Sequence, residues 1–85
     1  MDRGGTLYVA EAAKRRILAV QPGGERRVAA ASTAPWSPTG VATTAGALYV
    51  LEATDYRRGT PLRMRVRRVA SGNARVLAMV TIPPE

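Results

Sequence analysis

Apolar residues in this chain alternate with polar or small ones over short runs and never settle into the 3.6-residue spacing of a helix face. The runs Thr6–Ala10, Arg16–Val20, Arg26–Ala31, Gly40–Thr44, Ala47–Leu51, Met64–Val69 and Arg75–Val80 are bounded by Gly, Pro, Ser and Asn. Most are rich in branched and aromatic side chains, which suit a pleated, half-buried surface. The expected fold class is all-β, with about seven antiparallel strands. The alanine-rich stretch from Glu11 to Lys14 is too short to hold a helix. The pairs Gly23-Gly24 and Gly72-Asn73 suit hairpin turns that need positive φ.

The pattern also repeats. Gly5-Thr-Leu-Tyr-Val-Ala-Glu11-Ala recurs as Gly46-Ala-Leu-Tyr-Val-Leu-Glu52-Ala, 41 residues on (46 minus 5), with six of eight positions identical. That period lies inside the roughly 40–45 residues of a four-stranded propeller blade. Downstream, Arg16-Ile-Leu-Ala-Val20 pairs with Arg65-Val-Arg-Arg-Val69, and Val28 with Val76. The offset has grown to 49 by Ile17 and Val66, so the second copy carries eight extra residues in the loop before this strand.

Three segments carry a further likeness: Pro38-Thr-Gly-Val-Ala42, Gly46-Ala-Leu-Tyr-Val-Leu-Glu52 and Arg65-Val-Arg-Arg-Val69. Together they resemble the NHL repeat, whose blade opens with Pro-x-Gly-Val-Ala, continues with Gly-x-Leu-Tyr-Val-Ala-Asp and then has Arg-Ile-x-x-Val. Gly5 to Glu11 and Arg16 to Val20 fill the same places in the first copy, with Glu11 and Glu52 standing where the repeat usually has Asp. The resemblance implies β-propeller blades of the four-stranded type: residues 1–34 as a first blade lacking its innermost strand, residues 35–80 as a second, and 81–85 as a tail or the start of another. It marks Leu7, Tyr8, Val9, Leu48, Tyr49, Val50 and Gly40 as structural repeat positions. This phase leads one to expect a fragment of a larger propeller, or a chain that self-associates. Gluconolactonase-like propellers are similar too; there a metal in the central channel is held by residues from several blades, a set that two blades do not supply.

Composition narrows the chemistry. With no cysteine and no histidine, disulfides, thiolate metal sites, the commonest zinc ligand and the commonest general base are all missing. No nucleophile elbow or Walker loop is present, so no catalytic or metal residue and no cofactor is assigned. Apolar runs are far shorter than the roughly 20 residues of a membrane span. The Met-Asp-Arg-Gly-Gly-Thr start has no apolar stretch of signal-peptide type, and location stays open because a parent chain carries its own address. A net charge of +7 raises nucleic acid as a partner. Against it, all the basic residues but Lys14 are arginine and alanine is abundant, a bias that GC-rich coding, common in bacteria, gives unaided.

Each remaining candidate has a structural and a functional reading. Tyr8 and Tyr49, at equivalent places, read as packing between neighbouring blades. Trp36 either stacks on a ligand or plugs the gap between blades. Glu11 and Glu52 are expected to accept hydrogen bonds from loop amides, with metal ligation as the rival. Arg63, Arg65 and Arg67 alternate with Leu62, Met64 and Val66, which reads as a solvated outer strand or a phosphate-tracking stripe. The inserted loop from Ala53 to Pro61 should open on the same face as Ser32 to Ser37. Its Asp55, Tyr56, Arg57 and Arg58, with Trp36, form the candidate ligand-facing set for a protein, peptide or other ligand. The function expected is a binding or scaffold module. Part of a propeller enzyme of the gluconolactonase-like or lyase kind, or an RNA-binding propeller, is the alternative.

Overall fold

A computed structural model describes residues 4–84. Seven strands form two antiparallel sheets, and the described residues are all-β apart from one short 3₁₀ turn. The first sheet is a three-stranded meander of β1 (Leu7–Glu11), β2 (Arg16–Val20) and β3 (Arg26–Ala31), with the 3₁₀ turn (Ala12–Lys14) between β1 and β2. The second is a four-stranded meander of β4 (Trp36–Thr44), β5 (Ala47–Thr54), β6 (Leu62–Ala70) and β7 (Asn73–Ile82).

Several strands are longer than the residue pattern predicts. β4 begins at Trp36 rather than Gly40 and runs through Pro38 with a bulge between Pro38 and Gly40. Proline is tolerated there because β4 is an edge strand with no ladder partner on its other side. β5 continues to Thr54, which trims the inserted loop to residues 55–61. The last hairpin turns at Ser71-Gly72, with φ of 51° and 78°, rather than at Gly72-Asn73; Asn73 is already in β7 and pairs with Ala70. Ala45-Gly46 makes a turn of the same kind, with φ of 45° and 82°. In the first sheet only Gly24 of the Gly23-Gly24 pair takes positive φ, inside a longer turn closed by Gly24 N–H to Gln21 O at 2.8 Å.

Strand register carries the sequence repeat into three dimensions. Leu7↔Val20 and Glu11↔Arg16 in the first sheet correspond to Leu48↔Val69 and Glu52↔Arg65 in the second. The irregularities match as well: the first sheet slips between Ile17 and Leu18, the second between the equivalent Val66 and Arg67. A bulge bends its strand at a defined place, so equivalent bulges mean equivalent curvature.

Alternation gives each sheet two faces. Ile17 and Ala19 on the first sheet and Val50 and Glu52 on the second are almost wholly buried, and the face carrying Ile17 packs against the face carrying Val50. Burying an aliphatic side chain of this size contributes about 1.5–3 kcal/mol. The opposite faces are open. Leu7, Val9 and Val28 are exposed on the first sheet, and Leu51, Val80 and Ile82 on the second.

Candidate functional site

Where the sheets meet, side chains from β6 and from the residue just past β3 converge on Glu52. Its carboxylate is fully buried. It accepts from Arg65 Nε at 2.6 Å and Arg67 Nε at 2.8 Å, both on β6, and from the Ser32 hydroxyl just after β3 of the other sheet. Arg67 spans the same boundary, donating through a second nitrogen to the carbonyl of Ala31 at 2.9 Å. Trp36, also buried, lies under the neighbouring arginines, with the Arg65 guanidinium 4.0 Å and that of Arg63 5.4 Å from its ring centroid. Burial alone would push the Glu52 carboxyl up; the hydrogen bonds from Ser32, Arg65 and Arg67 outweigh it and hold the group below the usual carboxylate range.

This geometry corrects two expectations. Glu11 and Glu52 take side-chain donors rather than loop amides: Arg16 Nε reaches Glu11 at 2.5 Å, as Arg65 does Glu52. Arg65 and Arg67 are not a solvated stripe, because β6 is an inner strand and the first sheet covers the face on which they lie. Their side chains are 18% and 14% exposed. They are committed to a buried carboxylate and unavailable to track phosphates. Arg63 remains exposed at the end of the row.

A second junction fixes the inserted loop. Arg15, in the left-handed conformation that ends the 3₁₀ turn, grips Asp55 with both terminal nitrogens, at 2.8 and 3.2 Å. The same guanidinium donates to the Trp36 carbonyl and to Ser37 Oγ, each at 2.9 Å. The Asp55 amide closes on the Pro35 carbonyl at 2.9 Å, so this loop and the Ser32–Ser37 segment do lie at one end of the sheets. The hydrogen bond from Arg15 holds Asp55 below the usual carboxylate range, and Asp55 in turn raises Arg15.

The candidate ligand-facing set is therefore divided. Trp36 is buried and Asp55 anchors the loop base, whereas Tyr56, 80% exposed, projects with Arg57 and Arg58 at the tip. Beside the tip an open cleft of about 420 Å³ is lined by Asp55, Arg57, Thr60, Pro61 and Arg63. A larger open cleft, about 950 Å³, lies between the sheets at the far end, where Tyr8 faces Leu48 and Val69. Tyr49 is half-buried on the open face of the second sheet, and a side chain at Gly40 would start 3.8 Å from the Cβ of Leu51. Among the described residues no group of carboxylates is arranged to hold a metal ion.

Residue patterns did not single out Arg15 or Ser32. Arg15 lies outside every strand run, and a lone serine after an alanine string carries no signal. Glu52 and Arg65 were accessible in principle, because the β5–β6 register sets them directly opposite each other. None of the family models, curated proteins or solved structures compared with the chain matches it, and no described helix is long and apolar enough to cross a membrane.

Proposed function

We propose that the two sheets are consecutive blades of an NHL-like β-propeller and that the chain serves as a binding scaffold, with its partner recognised at the 55–61 loop. The supporting observation is the loop itself. It is the one long insertion distinguishing the second repeat from the first, its base is bolted to both sheets through Arg15, and its exposed tip carries Tyr56, Arg57 and Arg58. A rigid base with an aromatic and two guanidinium groups at the tip suits a protein or peptide partner bearing carboxylates. Two repeats with matched strand register and matched bulges support the propeller reading, since stacked repeats of this kind bury a shared core. We assign no reaction to the chain: among the described residues no group of carboxylates is arranged to hold a metal ion, and the Ser32 hydroxyl that meets Glu52 is held inside the Arg65–Arg67 ion-pair cluster.

The test is binding of matched synthetic peptides, acidic against neutral, measured by fluorescence anisotropy. The acidic series should bind, and Arg57→Ala with Arg58→Ala should weaken it by roughly tenfold or more, with Tyr56→Ala adding to the loss. Equal binding of both series, or no effect of the tip variants, would sink the reading. Tighter binding to single-stranded RNA than to the acidic peptides, falling steeply with salt, would favour the nucleic-acid alternative instead.

A further inference from the structure

The repeat makes the open face of each sheet the counterpart of a face already buried inside the chain. Leu7, Val9 and Glu11, on the open face of the first sheet, are the equivalents of Leu48, Val50 and Glu52, which the first sheet covers. Tyr49, Val66 and Ala78, on the open face of the second sheet, are the equivalents of Tyr8, Ile17 and Ala30, on the face that does the covering. The open face of the second sheet therefore has the form of the surface that fits the open face of the first. Within one chain the two lie on opposite sides and cannot meet.

We infer that the chain self-associates head to tail, the open face of the second sheet of one copy packing on the open face of the first sheet of another, so that the internal contact is repeated between chains. The occupant is a second copy because the two faces change character together. Internally, Ser32 of the first sheet and Arg67 of the second meet around Glu52. Their repeat equivalents, which would meet between copies, are Val80 and Leu18. A polar pair is replaced by an apolar pair on two separate surfaces, as mutual contact requires. Val80, at 59% exposed, is the most exposed aliphatic side chain of the second sheet, while Leu7, Val9, Leu18 and Val28 offer the apolar bed. Glu11 keeps its Arg16, so this corner brings no unpaired carboxylate into the contact.

A head-to-tail contact closes a ring or extends a filament. About two to four copies would supply the roughly 4–8 sheets of a closed propeller. Arg68 stands where Ala19 stands internally, and Arg26 lies on the facing surface; with +7 on every copy, the association should strengthen as salt rises from roughly 0.05 to 0.5 M.

This inference rests on the repeat equivalence behind the propeller reading but not on the loop's partner, and one experiment separates them. Sedimentation velocity over a range of concentrations should show the wild type as a multiple of the 9.1 kDa chain. Val9→Glu, blocked on one open face, and Leu51→Glu, blocked on the other, should each sediment as monomers where the wild type is associated. An equimolar mixture should recover a species of twice the chain mass, joined through the two unblocked faces. The Arg57→Ala/Arg58→Ala variant should assemble like wild type. Circular dichroism and a cooperative melt check that each variant is folded, with Leu7→Lys replacing Val9→Glu if that one is not. A wild type that stays at 9.1 kDa would overturn the inference and leave the faces to sheets of another sequence. An associated Leu51→Glu, or a mixture that stays monomeric, would overturn it as well, the first by indicating a face that pairs with itself.

Discussion

Glu11 and Glu52 occupy the same place in the two repeats, each opposite an arginine on the next strand, yet they are different objects. Among the described residues Glu11 holds Arg16 alone, and its side chain is 28% exposed. Glu52 is fully buried and gathers Arg65, Arg67 and Ser32. The motif around each glutamate does not make the difference, since both copies read Leu-Tyr-Val-x-Glu-Ala; one partner does differ in sequence, Arg67 standing where the first repeat has Leu18. A neighbouring sheet supplies the rest: it excludes water from the corner, adds the Ser32 hydroxyl and the Ala31 carbonyl, and turns a surface ion pair into the hub of an interface. Glu52 thus joins the sheets as much as it joins strands within one sheet.

The largest expected effect in that contrast comes from Glu52→Gln. Removing the charge leaves two largely buried guanidinium groups without their anion, and breaking a buried ion pair from one side costs about 3 kcal/mol or more. Urea denaturation followed by tryptophan fluorescence measures it directly, because Trp36 lies against Arg65. Next is Ile17→Ala, a cavity under the internal contact, expected to cost about 2–5 kcal/mol. Its equivalent Val66→Ala, on the half-buried open face, should cost roughly 1 kcal/mol under conditions where the chain is monomeric. Equal losses at the two positions would break the distinction between covered and open faces. The smallest effect is Glu11→Gln, whose exposed pair is screened by water: a slight, salt-sensitive change in the same denaturation experiment.

How far the sequence went follows from what repeats and what does not. Seven strands, their antiparallel order and the equivalence of the two copies were legible because alternation and the Gly-x-Leu-Tyr-Val core are local signals. The strand starting at Trp36 was not, since Pro38 looks like a terminator until β4 is known to be an edge. The arginines of β6 were misplaced for a related reason. Alternation shows that Arg63, Arg65 and Arg67 share a face, but not that another sheet covers it. Of the candidate site, the loop and its exposed tip were legible as an insertion. The Arg15 anchor was not, because it joins positions 40 residues apart through one side chain.

The central claim is that a covering sheet together with Arg67, and not the Leu-Tyr-Val-x-Glu motif shared by both repeats, sets the character of the Glu52 corner. A pH titration of the glutamate side-chain carboxyl carbons by NMR tests it most directly, with both glutamates observed in one sample. Unfolded glutamate titrates at about pH 4.3. The lowered folded pKa of Glu52 gives stability that is present above that pH and lost as pH falls through the folded value. The predicted result is that Glu52 protonates below the ordinary range together with loss of the folded spectrum, while Glu11, also lowered by Arg16, titrates without unfolding the chain. If Glu52 instead protonates like an exposed carboxylate, in step with Glu11 and with the fold intact, the covering sheet contributes nothing and the account is contradicted.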